Sequence, residues 1–260
     1  MSSIIKKPLI LITNDDGFTA PGIMALAKAV EEFGELMIVA PDKPQSGMGH
    51  AITINNPLRI HKTHYFDNHN AYNCSGTPVD CVKIGIYKLE QENRKPDLIL
   101  SGINHGSNVS TNVLYSGTMS AAIEGALFGI PSIGFSLLDY DLEADFSVAQ
   151  HFVKKIVKQA LANKMKEGTC LNVNIPKLPL TSIKGVKVAK QARAFWDDTF
   201  EERLDPLNKK YYWLAGEFKN QDTGTDTDIW ALENNYVSIV PTQYDLTAYK
   251  TLTQTKEMFE

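Results

Sequence analysis

The sequence predicts an α/β protein: a doubly wound, mostly parallel sheet, followed by a smaller C-terminal α+β region carrying a projecting hairpin and a terminal helix. Three observations predict it. Leu9–Ile12 and Leu36–Ala40 are unbroken apolar runs, the pattern of strands buried on both faces of a parallel sheet. Between them Ile23, Leu26, Ala27 and Val30 recur at helical spacing behind Pro21, so strand, helix and strand make a right-handed βαβ unit. After Pro176 the regular succession of strands and helices gives way to turn residues and β-rich runs.

The remaining elements follow in order. Pro41 cuts the second strand, and Pro41–Thr53 is a Pro/Gly-rich loop at its carboxyl end. Ile52–His61 and Ala71–Cys74 read as short strands of a hairpin, around a polar tip that includes His64, Asp67, Asn68 and His69. Thr77 is an N-cap and Pro78 a first helical residue, with Val79, Val82, Ile86 and Leu89 as the buried stripe and Asp80 set against the helix dipole. Asp97–Ser101 is a further strand, and Ser101–Asn108 a polar loop punctuated by glycine. Tyr115–Ser120 leads into a helix that Gly129-Ile130-Pro131 stops. Ile133–Ser136 is a strand, Phe146–Leu161 a long amphipathic helix, and Cys170–Ile175 the last strand of the doubly wound sheet. Beyond Pro176, β-rich runs at Val186–Ala189 and Tyr211–Ala215 mix with the charged stretch Trp196–Arg203. A short helix at Asp228–Glu233, a strand at Tyr236–Val240 and a polar terminal helix within Leu246–Phe259 complete the chain. The natural division is residues 1–178 as the domain with the chemistry and 179–260 as an oligomerisation region. A long hairpin and a detached helix do not bury their apolar sides alone, so a partner subunit is the expected cover.

Composition narrows the function classes. The 260 residues are 43% hydrophobic and 22% charged, ample for a sizeable core, and a formal net charge of −4 gives no basic field for a nucleic-acid polymer. Cys74, Cys81 and Cys170 lack metal-ligand spacing and read as small core residues of a reducing compartment. The stretch before Pro8 is too short and polar for a signal peptide, and no apolar run reaches the ~18 residues of a membrane span, so a soluble cytoplasmic protein is expected. A dinucleotide fingerprint and a P-loop are both absent.

Chemistry is expected at the carboxyl ends of the strands, where open α/β sheets bind ligands. Asp15 and Asp16 end the first strand. Adjacent carboxylates repel and call for a positive charge, although Asp-Asp-Gly taken alone reads more readily as a solvated Asx-type turn. The loop after the second strand adds the Ser46 hydroxyl beside Gly47, and the Ser101–Asn108 loop adds the Asn104 carbonyl, which by itself is also compatible with an Asn turn. Their convergence on one sheet edge is what favours a site. An all-oxygen set, with no Cys and no clear His, favours one Mg²⁺ or Mn²⁺ over Zn²⁺. His50 carries little weight, because a lone loop histidine is more often a surface or hydrogen-bonding residue. Ser116, Gly117 and Thr118 lie at a helix N-terminus suited to an anion, or serve as ordinary caps. A divalent ion beside a phosphate site points to phosphoryl chemistry. No Cys-x5-Arg, and no Asp-x-Asp at the end of the first strand, marks a covalent route, so attack by water is expected, with Asp16 as the group that orients or deprotonates it.

Asn-Asp-Asp-Gly (14–17), Ala-Pro-Asp-x-x-x-Ser-Gly (40–47), Gly-Thr-Pro-x-Asp-Cys-Val (76–82), Ser-Gly-Ile-Asn-x-Gly-x-Asn (101–108) and Tyr-Ser-Gly-Thr (115–118) together resemble the survival protein E (SurE) family across nearly the whole chain. The resemblance implies a Rossmann-like domain and a metal-dependent 5′/3′-nucleotidase acting on nucleoside monophosphates, in some members also on short polyphosphate. It further implies a domain-swapped homodimer, often paired into a tetramer, in the cytoplasm. By position the family's metal ligands fall on Asp15, Asp16, Ser46 and Asn104. Within such a site Ser116, Gly117 and Thr118 are expected to hold phosphate oxygens, with Asn104 touching both ion and phosphate. Near the C-terminus the chain departs from the family's Gly-Tyr and Ser-Ile-Thr-Pro-Leu, with Asn235-Tyr236 and Ser238-Ile239-Val240-Pro241-Thr242. The competing readings are a non-catalytic nucleotide-binding regulatory protein and a metal-dependent glycosyltransferase, which would need a nucleotide-sugar pocket.

Overall fold

The computed structural model describes residues 7–66, 69–141 and 143–260. The stretch before Lys7, and Asp67 and Asn68 of the expected polar tip, lie outside the described residues. Six strands run parallel at the centre: β1 (Leu9–Thr13), β2 (Glu35–Pro41), β4 (Asn70–Cys74), β5 (Leu98–His105), β6 (Ser132–Leu137) and β7 (Thr169–Ile175), in the spatial order β4-β2-β1-β5-β6-β7. β3 (Ile60–Thr63) pairs antiparallel with β4 at one edge. At the other edge β11 (Tyr236–Gln243) runs antiparallel to β7 and parallel to β8 (Gly185–Val188), completing nine strands.

The pleat explains the two-sided burial. Ile10 and Ile12 face the layer of α1 (Pro21–Val30) and α4 (Ser147–Ala162), packed with Ile23, Leu26, Phe152 and Val153. Leu9 and Leu11 face α2 (Pro78–Gln91) and α3 (Gly117–Leu127), with Val82, Ile86 and Ala121. Thr77 and Asp80 form a capping box, and Asp80 also accepts from the Thr53 amide, so its charge is spent on structure. Cys74, Cys81 and Cys170 are free and buried, and burial pushes the Cys170 thiol up to about 12. Among the described residues no helix is long and apolar enough to cross a membrane.

Four boundaries differ from the sequence expectation. The strand expected from Ile52 begins only at Ile60, because Asn55-Asn56-Pro57 holds the preceding segment off the sheet edge. β5 continues past Ser101 to His105, with an irregularity between Ser101 and Asn104 that keeps Asn104 paired to Ser136 of β6. There Gly102 has φ +125°, and a Cβ on it would stand 2.4 Å from the Phe135 carbonyl oxygen, so only glycine fits. Trp196–Arg203, set apart in the sequence by its charge, is the body of β9 (Ala194–Leu204), whose partner β10 (Lys210–Asn220) extends beyond the expected Tyr211–Ala215. A solvated two-stranded ribbon lacks the apolar alternation that reveals a half-buried strand. The terminal helix α6 is shorter than expected, Leu252–Phe259. α5 (Asp228–Glu233) joins β10 to β11.

Candidate active site

The chain steps outward from β1 to β2 and β4, then returns across to β5 on the opposite side of β1. The carboxyl ends of β1 and β5 therefore flank the point where the winding reverses, which is where doubly wound sheets open a crevice. Asp15 and Asp16 leave β1 there, and Asn104 sits at the end of β5. A cleft of about 850 Å³ gathers Asp15, Asp16, Ser46, Asn104 and Ser116 along its inner wall. Gly117 and Thr118 do not line it. They stand behind Asp15, and a Cβ on Gly117 would fall 2.6 Å from the Asp15 Cβ.

Each of these side chains is held. Asp15 is buried and accepts from the Thr118 hydroxyl at 2.5 Å. Burial and then the neighbouring Asp16 charge raise its carboxyl from 3.8 to about 6, against the hydrogen bonds from Thr118 that lower it. Burial likewise raises Asp16, opposed by the His105 backbone N–H, a long contact of 3.4 Å. The Asn104 amide nitrogen donates to the carbonyls of His105 and Gly106 at 3.0 and 2.9 Å, which leaves its Oδ1 as the atom offered to the cleft. Ser116 caps α3, its hydroxyl accepting from the Met119 amide at 3.0 Å. Ser46 is exposed on its loop, which Gln45 ties to β1 by donating its amide to the Asp15 carbonyl at 2.8 Å.

A buried carboxylate beside a half-buried one, with no ion-paired cation among the described residues, makes an electrostatically unfavourable pair that a bound cation relieves. Among the described residues no three His, Cys, Asp or Glu side chains gather as a metal cluster, so a ligand set here needs the neutral oxygens of Asn104 and Ser46. That donor set fits a hard divalent ion. Asp-x-Asp does occur, at Asp139/Asp141 and Asp226/Asp228, but none of the four lines the cleft. Asp139 pairs with Lys177, and Asp228 is buried, accepting backbone N–H groups from Ser110, Ala192 and Ile229.

The chain matches the family described as "Survival protein SurE" over residues 10–198. The chain belongs to the SurE family. A protein named 5′-nucleotidase SurE from Flavobacterium johnsoniae is 58% identical over 250 residues, covering 96% of each chain, and one of the same name from Cytophaga hutchinsonii is 55% identical over 96% of each. The crystal structure of the SurE protein from Aquifex aeolicus superposes with a TM-score of 0.84 at 40% identity, covering 97% of this chain and 100% of that one. The Rossmann-like sheet is thus a SurE-family fold.

The sequence left the outer wall of the cleft unread. His105 lines it with its ring edge-on to Phe146, and its buried Nδ1 has no partner. Asn108 is fixed by a buried amide network: its N–H donates to Asn174 Oδ1, its Nδ2 to Ser136, and its carbonyl accepts from Asn172. The alternation Asn172-Val173-Asn174 in an otherwise apolar strand was the available signal. The β9–β10 hairpin supplies Phe195, Trp196 and Asp198 from the base half of β9 and Leu214 from the middle of β10 to the same cleft. Trp196 is 47% exposed, yet its indole N–H donates to Asn112 at 2.9 Å and its ring tilts onto Phe218.

Proposed function

We propose that this SurE-family chain is a metal-dependent phosphatase that hydrolyses nucleoside 5′-monophosphates, and 3′-monophosphates, to nucleoside and phosphate. The observation that carries the reading is the Asp15/Asp16 pair, one carboxylate buried and the other half-buried, lining one cleft with Asn104 and with Ser116 at the α3 N-terminus. Asp15, Asp16, Ser46 and Asn104 would hold one Mg²⁺ or Mn²⁺. When bound, such an ion neutralises phosphate charge and lowers the pKa of water. Asp16, less buried than Asp15 and free of the Thr118 hydroxyl, orients the attacking water and accepts its proton. The Thr118 hydroxyl fixes the rotamer of Asp15. Ser116 and Asn104 face the phosphate, and Gly117 and Thr118 place the positive end of α3 behind it. Trp196 and Phe195 offer aromatic faces to the nucleobase in the same cleft.

The exposed apolar residues of the hairpin and tail, among them Phe200, Trp213, Leu246 and Phe259, suit burial against a second copy. A homodimer, pairing further into a tetramer, is the assembly we propose, with residues 179–260 as its oligomerisation region. Three buried thiols suit a reducing cytoplasm.

The test is phosphate release from AMP and GMP with Mg²⁺, Mn²⁺ or EDTA, for the unaltered chain and for Asp15→Asn and Asp16→Asn. Release that needs the metal and both carboxylates supports the reading. Nucleotide binding without release under any metal would instead make the chain a regulatory binding protein.

A further inference from the structure

Glu124 is a buried charge that the proposed reaction does not use. It sits two turns into α3 with its side chain 4% exposed, and each carboxylate oxygen has one partner. Lys83 of α2 donates to Oε1, and His50 Nε2 meets Oε2 at 2.8 Å. Burial pushes the Glu124 carboxyl up, but the hydrogen bonds from His50 and Lys83 outweigh it and hold the group below the usual range. An ionised carboxylate only accepts, so the proton between it and His50 resides on Nε2.

The Lys83 pair already offsets the buried charge, and the His50 contact adds a link of a different kind. His50 lies four residues after Ser46 in the same loop. In that loop Ser46, Gly47 and Met48 are exposed, and Gly47 and Gly49 lie at positive φ, +74° and +54°. Three successive exposed residues leave the stretch to be positioned by its ties. On one side Gln45 donates to the Asp15 carbonyl. On the other, Gly49 donates to the Tyr115 carbonyl at 3.2 Å and His50 reaches Glu124. Both of the latter anchors belong to α3 or the turn that leads into it.

We infer that Glu124 is a positioning residue, clamping the Ser46 loop through His50 so that this loop and the α3 N-terminus are held in register across the cleft. The inference rests on the proposed metal and phosphate roles of those two elements. It also gives His50 a task that its sequence context did not reveal. Removing the partner that orients a ligand commonly weakens metal binding by roughly 10- to 100-fold, so the clamp has a measurable consequence away from turnover.

His50→Ala is the decisive variant, because Glu124 keeps Lys83 and no buried charge is stranded. Mn²⁺ titration of the metal-free protein by calorimetry, amide exchange over residues 45–50, and KM and kcat for AMP are measured on His50→Ala, His50→Gln and the unaltered chain. The expected result for His50→Ala is Mn²⁺ binding about tenfold weaker, faster exchange at 45–50 and a KM that rises more than kcat falls, at unchanged melting temperature. His50→Gln, whose amide N–H reaches the same carboxylate, restores most of each. Unchanged Mn²⁺ affinity and exchange in His50→Ala would overturn the clamp, as would a His50→Gln variant as impaired as His50→Ala. Absence of phosphate release from every protein, unaltered chain included, would sink the nucleotidase reading alone, since the Mn²⁺ and exchange measurements still decide the clamp.

Discussion

β1 and β9 both deliver residues to the cleft, on opposite physical terms. β1 has five residues, all buried, hydrogen-bonded on both sides to β2 and β5. β9 has eleven, of which only Ala194 is buried, and its sole strand partner is β10. The carboxylates are therefore presented by a segment whose position the whole sheet determines. The aromatic wall is presented by a ribbon that a two-stranded pairing alone stabilises only marginally. What secures the ribbon's base is a small apolar cluster of Val109, Ala192, Ala194, Ile229 and Leu232 and a few polar ties. The Ser110 hydroxyl lies 2.8 Å from the carbonyls of both Ala192 and Ala194, which share its one proton, and accepts from the Ala194 N–H, while Asp228 accepts the backbone N–H groups of Ser110 and Ala192. Damage on the β1 side is thus expected to stop the chemistry and leave the assembly intact. Damage on the β9 side is expected to change the assembly or the choice of substrate while the chemistry survives.

The largest expected effect is on the β1 side. Asp16→Asn removes the proposed base and one charge of the pair, and phosphate release from AMP is expected to fall by about 10²–10⁴-fold, with sedimentation unchanged. An Asp16→Asn protein within a few-fold of the unaltered chain would mean that the carboxylate is not needed for the chemistry. On the β9 side the matching experiment is a double substitution of solvent-facing apolar residues, Phe200→Asp with Trp213→Asp. These are 70% and 58% exposed, so their replacement costs the isolated chain little. Sedimentation is expected to show a smaller species that still hydrolyses AMP. Retention of the parent assembly would remove the hairpin from the interface.

A more discriminating comparison uses substrates. Trp196→Ala takes away an aromatic face on which a base can stack, an interaction worth roughly 1–3 kcal/mol in base-binding sites. The kcat/KM for AMP is expected to drop about tenfold, while that for ribose 5-phosphate, which has no base, holds. Equal losses for both substrates would place Trp196 in the support of the cleft and not in recognition of the base.

The same contrast explains how much could be read from sequence. β1, β2, α1 and α4 announce themselves because burial on both faces leaves a strand as an unbroken apolar run and burial on one face imposes a period of 3.6 on a helix. Strand-terminal loops are then legible from chain order alone, which is why Asp15, Asp16, Ser46 and Asn104 could be placed together before any coordinates. β9 imposes no such period, since Trp196–Leu204 faces water on both sides, and its charges read as a solvated stretch. His50 and Glu124 were illegible for another reason. They are 74 residues apart, and nothing local to either marks a pairing that only the packing of α3 beside the Ser46 loop creates. The Asn172, Asn174 and Asn108 network is intermediate, two polar residues in a buried strand being a visible anomaly whose partner is not.

The smallest expected effect sharpens the comparison most, because it asks what β1 gives up to hold Asp15 in place. Its carboxyl is raised from 3.8 to about 6 in the folded, metal-free protein. The folded state then binds more protons than the unfolded state between these values, so metal-free stability falls as pH rises from about 4 to 6 and stays reduced above that. At ~1.4 kcal/mol per unit the reduction is at most about 3 kcal/mol. Asp15→Asn removes the charge and retains a similar shape, so the metal-free variant is expected to be more stable than the unaltered chain at pH 7.5, by about 1–3 kcal/mol, and equal to it near pH 4. Addition of Mn²⁺ reverses the order, because an ion bound only by the native carboxylate adds stability with rising concentration, about 2.7 kcal/mol at a hundred times its Kd. Thermal melts of the two proteins with EDTA and with Mn²⁺ read both signs. A metal-free Asp15→Asn protein less stable at pH 7.5 would show that Thr118 and the α3 dipole already satisfy this carboxylate, and that the sheet's rigidity alone keeps it in the cleft.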